Sequence, residues 1–531
     1  MKRVFINGNV ITMVEGGARV QAIGSSGEVI SILGTNEEVL AWAQDAEIID
    51  LKGAIVIPGL IDSHSHISAG ALWSASANCS TVTCSSIADV QHTLKAVADN
   101  TTKGDWVQGF GYDDTGLKDM RHLNRRDLDS VSTEHPIFVS HISGHLAYLN
   151  SLALELADIN ADTPNPAGGT IVKDETGEPT GLLLETAGFL ARAKLPLPSR
   201  EAFEEMVINM IAHYNRHGLT STHDGAIGMA KGSDFMGICR ELEKAHKLNI
   251  RIYGDLLPDM HAGADKLGMA KGFGSNYIRA GAVKYFQDGS IQGLTGALLD
   301  DYHNKAGWRG ELIYPQTELE EKFLYHQQNG DQIVVHGNGD AAIESIITAL
   351  EKAQAAHPRE DCRHMLIHCQ MAHDDHIERM KALGIVPSYF VNHVYYWGDR
   401  HKRLFIGPER ASRIDPLGSS LRKGLLFSIH TDYPVTPIDP IHNMHIAVNR
   451  ITREGQLLGE DERISALEAL KTYTTHAAWC SFEEDRKGSL EVGKLADMTV
   501  LSEDILAVAP ETIKDIKVLR TVVGGRSVYI A

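Results

Sequence analysis

A chain of 531 residues, 43% hydrophobic and 22% charged, has ample apolar material for more than one domain, or for one barrel carrying insertions. Its formal net charge of -19 argues against nucleic acid and anionic membrane as partners. No apolar run reaches the length of a membrane span, and six scattered cysteines without a CxxC pair fit free thiols in a reducing cytoplasm, the expected location.

In chain order, residues 4–6, 10–13, 22–23, 29–33 and 47–50 are short β-type runs separated by turns, with Asn7-Gly8 reading as a hairpin turn. The C-terminal runs 498–501, 518–523 and 527–530 resume that style, with Gly524-Gly525 as a turn. Neither set is large enough to be stable alone, so the two ends are expected to pair into one β-sandwich, 1–54 with 484–531.

Between them, strand-like runs at 55–61, 219–223, 251–256, 278–286, 332–336, 364–368, 385–390 and 425–430 alternate with amphipathic helical stretches such as 200–216, 341–356 and 374–383. Eight such units predict an α/β chain whose centre, 55–483, is a (β/α)8 TIM barrel. About 150 residues separate the first two strands, too many for one βα connection. Residues 68–200 are therefore read as an insertion, with strands at 106–110 and 136–140 and a hairpin turning at Gly177.

Polar residues able to bind metal recur where these strands end. His64 and His66 follow the first strand, and at spacing i, i+2 their imidazoles share a face. Lys284 lies in the fourth, and His336 and His368 end the fifth and sixth. Asp432 follows the eighth. A parallel barrel gathers all these strand ends at one face, so residues remote in sequence converge. Each alone has an ordinary alternative: a satisfied histidine, a salt-bridged lysine, a helix-capping aspartate. The ordered set is harder to obtain by accident.

The set His-x-His, Lys, His, His, Asp, inside paired β-rich ends, resembles the amidohydrolase superfamily. The nearer likeness is to its amidohydrolase-3, YtcJ-like branch, which includes N-substituted formamide deformylases. It is carried by Pro58-Gly59-Leu60-Ile61-Asp62-Ser63-His64-Ser65-His66, Ser143-Gly144-His145, Lys284-Tyr285-Phe286-Gln287-Asp288-Gly289-Ser290 and Val335-His336-Gly337-Asn338-Gly339-Asp340. Asn392-His393-Val394-Tyr395-Tyr396-Trp397-Gly398-Asp399, His430-Thr431-Asp432-Tyr433-Pro434 and the stretch 487–497 complete it.

The resemblance implies two divalent metal ions, with Zn2+ suited to the donors. His64, His66 and Asp432 would hold one, and His336 and His368 the other. Lys284, as a CO2-derived carbamate, would bridge them. It implies hydrolysis of a C–N bond in an amide or N-substituted formamide, by attack of a metal-bridging hydroxide on the carbonyl. Asp432 would shuttle the proton. Candidate catalytic residues are thus Asp432, Lys284 and His145. His145 lies in the insertion and would touch substrate or serve structure. Asn392, His393, Tyr395 and Trp397 would line a pocket for an apolar substituent, or pack. His430 and His223 are strand-end residues that would support ligands or belong to the core. The same centre would serve an ester, lactone or phosphoester. Mononuclear deaminases carry a Glu three residues after the fifth-strand His, where this chain has Gly339, so deamination is disfavoured. A catalytically inactive scaffold is disfavoured because all six ligand positions are filled. The expected partner is a small-molecule substrate, and a homodimer is the base-rate expectation for assembly.

Overall fold

The computed structural model describes residues 1–166, 168–229 and 234–531. Its centre is a sheet of eight parallel strands in sequential order. We number them β1 (Leu60–Ser65), β2 (Leu219–Ile227), β3 (Arg251–Leu256) and β4 (Ile278–Phe286). They continue as β5 (Ile333–Gly337), β6 (Met365–His368), β7 (Val386–Tyr389) and β8 (Ser428–Ile429). The sheet curls into a nearly closed barrel. At its seam, Ser63 Oγ lies 2.9 Å from Ser428 Oγ, and the Asp432 amide donates to the His64 carbonyl at 3.2 Å. Helices on the outside cover the strands, which explains continuous apolar runs such as Ile333-Val334-Val335 in place of alternation. The helices Gln316–Asn329 and Asp374–Leu383 each end at a glycine with positive φ, Gly330 and Gly384, as helix-terminating residues commonly do.

The stretch 55–61, read above as one strand, is two. Ile55–Pro58 pairs antiparallel with Met498–Leu501, and only from Leu60 does the chain join β2. Pro58 has no amide proton to continue a ladder, so the strand stops there and the chain passes into the barrel.

The chain ends form two facing sheets. One orders Val29–Gly34, Ala22–Ser26, Lys2–Ile6 and Glu47–Asp50; the other orders Asn9–Val10, Ile55–Pro58, Met498–Leu501, Val518–Val523 and Arg526–Ile530. Phe5, Val10, Ile23, Ile30, Val56, Met498, Val500 and Val522 are buried in one cluster drawn from both sheets. Asn7-Gly8 is not a hairpin turn. Lys2–Ile6 pairs with Ala22–Ser26 and Glu47–Asp50, while Asn9–Val10 pairs with Ile55–Pro58 in the other sheet. Asn7, with φ of 56° and its side chain bonded to Asp50, carries the chain from one sheet to the other.

By contacts the chain divides into two compact units, Gly70–Met206 and the remainder. The smaller unit has a six-stranded sheet ordered Gly169–Lys173, Pro179–Glu185, Leu146–Leu149, Ile137–His141, Val107–Tyr112 and Ala77–Asn78. The hairpin turning at Gly177 is present, but Leu146–Leu149 is a strand that the sequence reading missed. Four apolar residues followed by Asn150, which caps the next helix, look the same as a helix approach. Among the described residues, no helix is long and apolar enough to cross a membrane.

Candidate metal centre

His64 sits within β1 and His66 just beyond it, which brings both imidazoles to the mouth of the barrel. His64 Nε2 lies 3.6 Å and His66 Nε2 3.2 Å from Asp432 Oδ1. One ligand atom each from His64, His368 and Asp432 falls within 4.8 Å of the others, so the three can share one ion. His336 joins the group through His368, with ring centroids 4.5 Å apart. Space is set by the backbone: at Gly225 in β2, a Cβ would stand 2.1 Å from the His64 ring. Any larger residue would displace that imidazole.

Partners behind the rings fix their orientation. His368 Nδ1 faces His430 Nε2 at 3.3 Å, and His430 Nδ1 meets Ser388 Oγ at 2.8 Å. This leaves His368 Nε2 as the nitrogen that points away from support. His336 Nδ1 lies 3.1 Å from Asp288 Oδ1. The Asp288 carboxylate also accepts the amide protons of Asn338, Gly339 and Ala297. So Asp288 shapes its loop and also steadies His336. Gly339 explains the missing deaminase glutamate, because a Cβ there would stand 1.9 Å from the Ala297 carbonyl oxygen.

Lys284, on β4, is wholly buried, and its Nζ has no hydrogen-bond partner. Burial pulls the ammonium below the ordinary lysine value, while Asp255 and Asp432 pull the other way. Burial, and then the charge of Lys284, holds His64 well below the usual imidazole value. Burial does the same to His368. Both rings are therefore neutral, the form a metal requires. Burial also acts to raise the Asp432 carboxyl, but the hydrogen bond and charge of His66, with His430 and Lys284, keep it below the ordinary carboxylate value. Unused donor atoms remain on His64 Nδ1, His66 Nδ1 and Lys284 Nζ. Imidazoles and a carboxylate, buried and incompletely satisfied, form a donor set that fits divalent ions of the zinc type.

The remaining candidates are distributed differently. His393 approaches the cluster, its ring 6.0 Å from that of His368, and its Nδ1 lies 3.3 Å from Asp415. Asn392 is buried and donates to Thr436 at 2.6 Å, in the segment that follows Asp432. Trp397 packs behind Phe390 and His393, whereas Tyr395 turns toward His442. His145 belongs to the smaller unit, where its Nδ1 pairs with Glu185 at 2.8 Å. His223 lies buried on β2 against the Tyr253 ring. Two carboxylates went unmarked in the sequence reading. Asp62 accepts from the Thr431 hydroxyl and amide, tying β1 to the segment that carries Asp432. Asp255 on β3 is buried without a hydrogen bond and interacts with Lys284. The aspartate that follows Ile61 directly was the available signal for the first. An acidic residue inside an apolar strand was the signal for the second.

Residues 47–529 match the family model described as the amidohydrolase family. The chain is 29% identical to the YtcJ protein of Bacillus subtilis (strain 168) over 100% of this chain and 99% of that one. It is 30% identical to the N-substituted formamide deformylase of Arthrobacter pascens, over 98% of this chain and 97% of the relative. A metal-dependent hydrolase of unassigned function from Pyrococcus furiosus superposes with a TM-score of 0.75 at 26% identity, covering 95% of this chain and all of that one. With the His and Asp cluster at the mouth of its barrel, this chain is a metal-dependent hydrolase and belongs to the amidohydrolase family.

Proposed function

We propose that the protein hydrolyses the C–N bond of an amide or N-substituted formamide. Two divalent ions, Zn2+ by the donor chemistry, would be held by His64, His66, His336, His368, Asp432 and a carboxylated Lys284. The observation that carries this reading is the convergence of His64, His368 and Asp432 donor atoms within 4.8 Å, next to a buried lysine with no hydrogen bond. The bond type is supported by the 30% identity to the formamide deformylase across nearly both whole chains.

The chemistry such ions supply is Lewis acidity toward a water and toward the scissile carbonyl. The protein's own part is distinct. Asp432, kept ionised by His66, would accept the proton of the attacking water and return it to the leaving nitrogen. Burial draws Lys284 toward its neutral amine, the form that would combine with CO2, releasing one proton as the carbamate forms. The carbamate would replace a cation that repels metal with an anion that binds it. Asn392 and His393 are assigned to the substrate side of the cluster. Tyr395 and Trp397 are assigned to shaping the wall behind them.

A substrate panel tests the reading. N-substituted formamides and simple amides should turn over, lose turnover on chelation and regain it with Zn2+. Esters, lactones and phosphoesters are the comparison class. Turnover confined to that class would remove the C–N assignment.

A further inference from the structure

The larger unit holds a second group of metal-type side chains, remote from the barrel mouth in sequence. His261 lies on the helix Pro258–Lys266, His326 on the helix Gln316–Asn329, and Asp331 between that helix and β5. All three are buried, at 3%, 5% and 2% exposure, and one ligand atom of each lies within 4.8 Å of the others. We propose that His261, His326 and Asp331 bind a divalent ion of the zinc type that pins these two helices together. This site would be separate from the catalytic ions.

Two observations carry this independently of the catalytic reading. First, His261 Nε2 and Asp331 Oδ1 are shut off from water and have only each other, at 3.4 Å, and the more distant Lys271 ammonium as polar neighbours. A long contact of this kind satisfies a buried nitrogen and a buried carboxylate oxygen poorly, and one ion between them would satisfy both. Second, the spacing is that of two ligands on one ion. With Zn–N and Zn–O bonds of about 2.0–2.1 Å, neighbouring ligands of a tetrahedral ion stand roughly 3.3 Å apart. His261 Nε2 and Asp331 Oδ1 are 3.4 Å apart. The His–Asp432 separations at the barrel mouth, 3.2 and 3.6 Å, bracket that value.

The rest of the group is arranged to match. His326 Nδ1 lies 2.7 Å from Asp331 Oδ2, so it would become the third ligand by giving up its proton. Its Nε2 lies 2.9 Å from the Tyr285 hydroxyl, the outer hydrogen bond that orients a ligating imidazole. Three protein ligands and a water would complete a tetrahedron. Lys271 is the opposing group, with Nζ 3.7 Å from Asp331 Oδ1. Its side chain is 41% exposed and also 3.4 Å from Asp265, so the ammonium can withdraw to solvent when an ion enters.

The test uses the full chain, crystallised with Zn2+ in slight molar excess, and diffraction data on both sides of the zinc absorption edge. The expected result is an anomalous peak among His261, His326 and Asp331, in addition to any peak at the barrel mouth. The absence of a peak there overturns the proposal, whatever the barrel mouth contains. Metal analysis of His261→Ala should show one equivalent fewer than the parent protein, with turnover of any substrate retained. Equal metal content in the two proteins also overturns it. Because the diffraction result needs no variant, misfolding of His261→Ala leaves the proposal testable.

Discussion

Two buried lysines mark the two ends of the barrel. Lys284 stands at the C-terminal mouth, wholly buried, with no hydrogen bond on its Nζ. Lys487 lies at the other end, 5% exposed, 2.5 Å from Glu483 and 3.1 Å from the Ser221 hydroxyl near the start of β2. Glu483 is also reached by Arg279 at 3.4 Å, at the start of β4. Both lysines suffer the same desolvation, and in both burial pulls the ammonium down. One is compensated by a complete ion pair and the other is not. A completed buried pair holds a structure together, because removing either partner strands the other. A buried charge left incomplete costs stability, and such groups cluster where chemistry is done.

The largest effect should come from the mouth. Asp432→Asn keeps shape and size but removes the proton acceptor, so turnover should fall by about 10²–10⁴-fold. Its circular dichroism should match that of the parent protein. Turnover within threefold of the parent would take Asp432 out of the proton path.

At the opposite end the expected loss is in folding. Lys487→Met would leave Glu483 buried without its close cation, keeping only the longer contact to Arg279 and a hydrogen bond from Ser481, at a cost of about 3–5 kcal/mol. A urea midpoint equal to that of the parent protein would mean that the pair contributes nothing net.

The pair also sets an acid limit. Burial acts to raise the Glu483 carboxyl, but Lys487 dominates and holds it at about 2, against 4.5 when unfolded. A carboxyl depressed on folding stabilises fully above its unfolded value, and that stability is lost as pH falls toward the folded value. This one group should therefore remove about 3 kcal/mol between pH 4.5 and 2. Glu483→Gln should show a shallower acid limb than the parent protein over that window. Parallel curves would exclude the group as a source of acid sensitivity.

The two ends also differ in how legible they were. The mouth was readable because each candidate ligand lies in or just after a strand-like apolar run, and a parallel barrel collects such positions at one face. His64, His66, Lys284, His336, His368 and Asp432 all announce themselves in that way. The base was not. Glu483 and Lys487 are four residues apart, the spacing of an ordinary exposed helix pair, and nothing local says that the barrel end closes over them. Asp255 escaped for a related reason: its meaning lies in Lys284, which is on a different strand. The switch at Asn7 escaped because a turn residue specifies a bend, and the sheet that the next strand joins is decided by distant pairing with Ile55–Pro58. His261, His326 and Asp331 lie on or beside helices, outside any strand-end rule.

The smallest effect tests the comparison most directly, because its sign is opposite at the two ends. Lys284→Met removes an ammonium that has no hydrogen bond and puts an apolar chain of similar length in its place. In protein stripped of metal, the desolvation penalty disappears. Asp255, whose carboxyl burial raises, can stay protonated without the lysine beside it. The variant should therefore be more stable than its parent by about 1 kcal/mol, while its activity is lost. The same substitution at Lys487 should destabilise. Measuring both variants in one buffer, with chelator present, decides the matter. If Lys284→Met unfolds earlier than the parent, then Lys284 is a structural cation like Lys487, and the contrast between the two ends of the barrel fails.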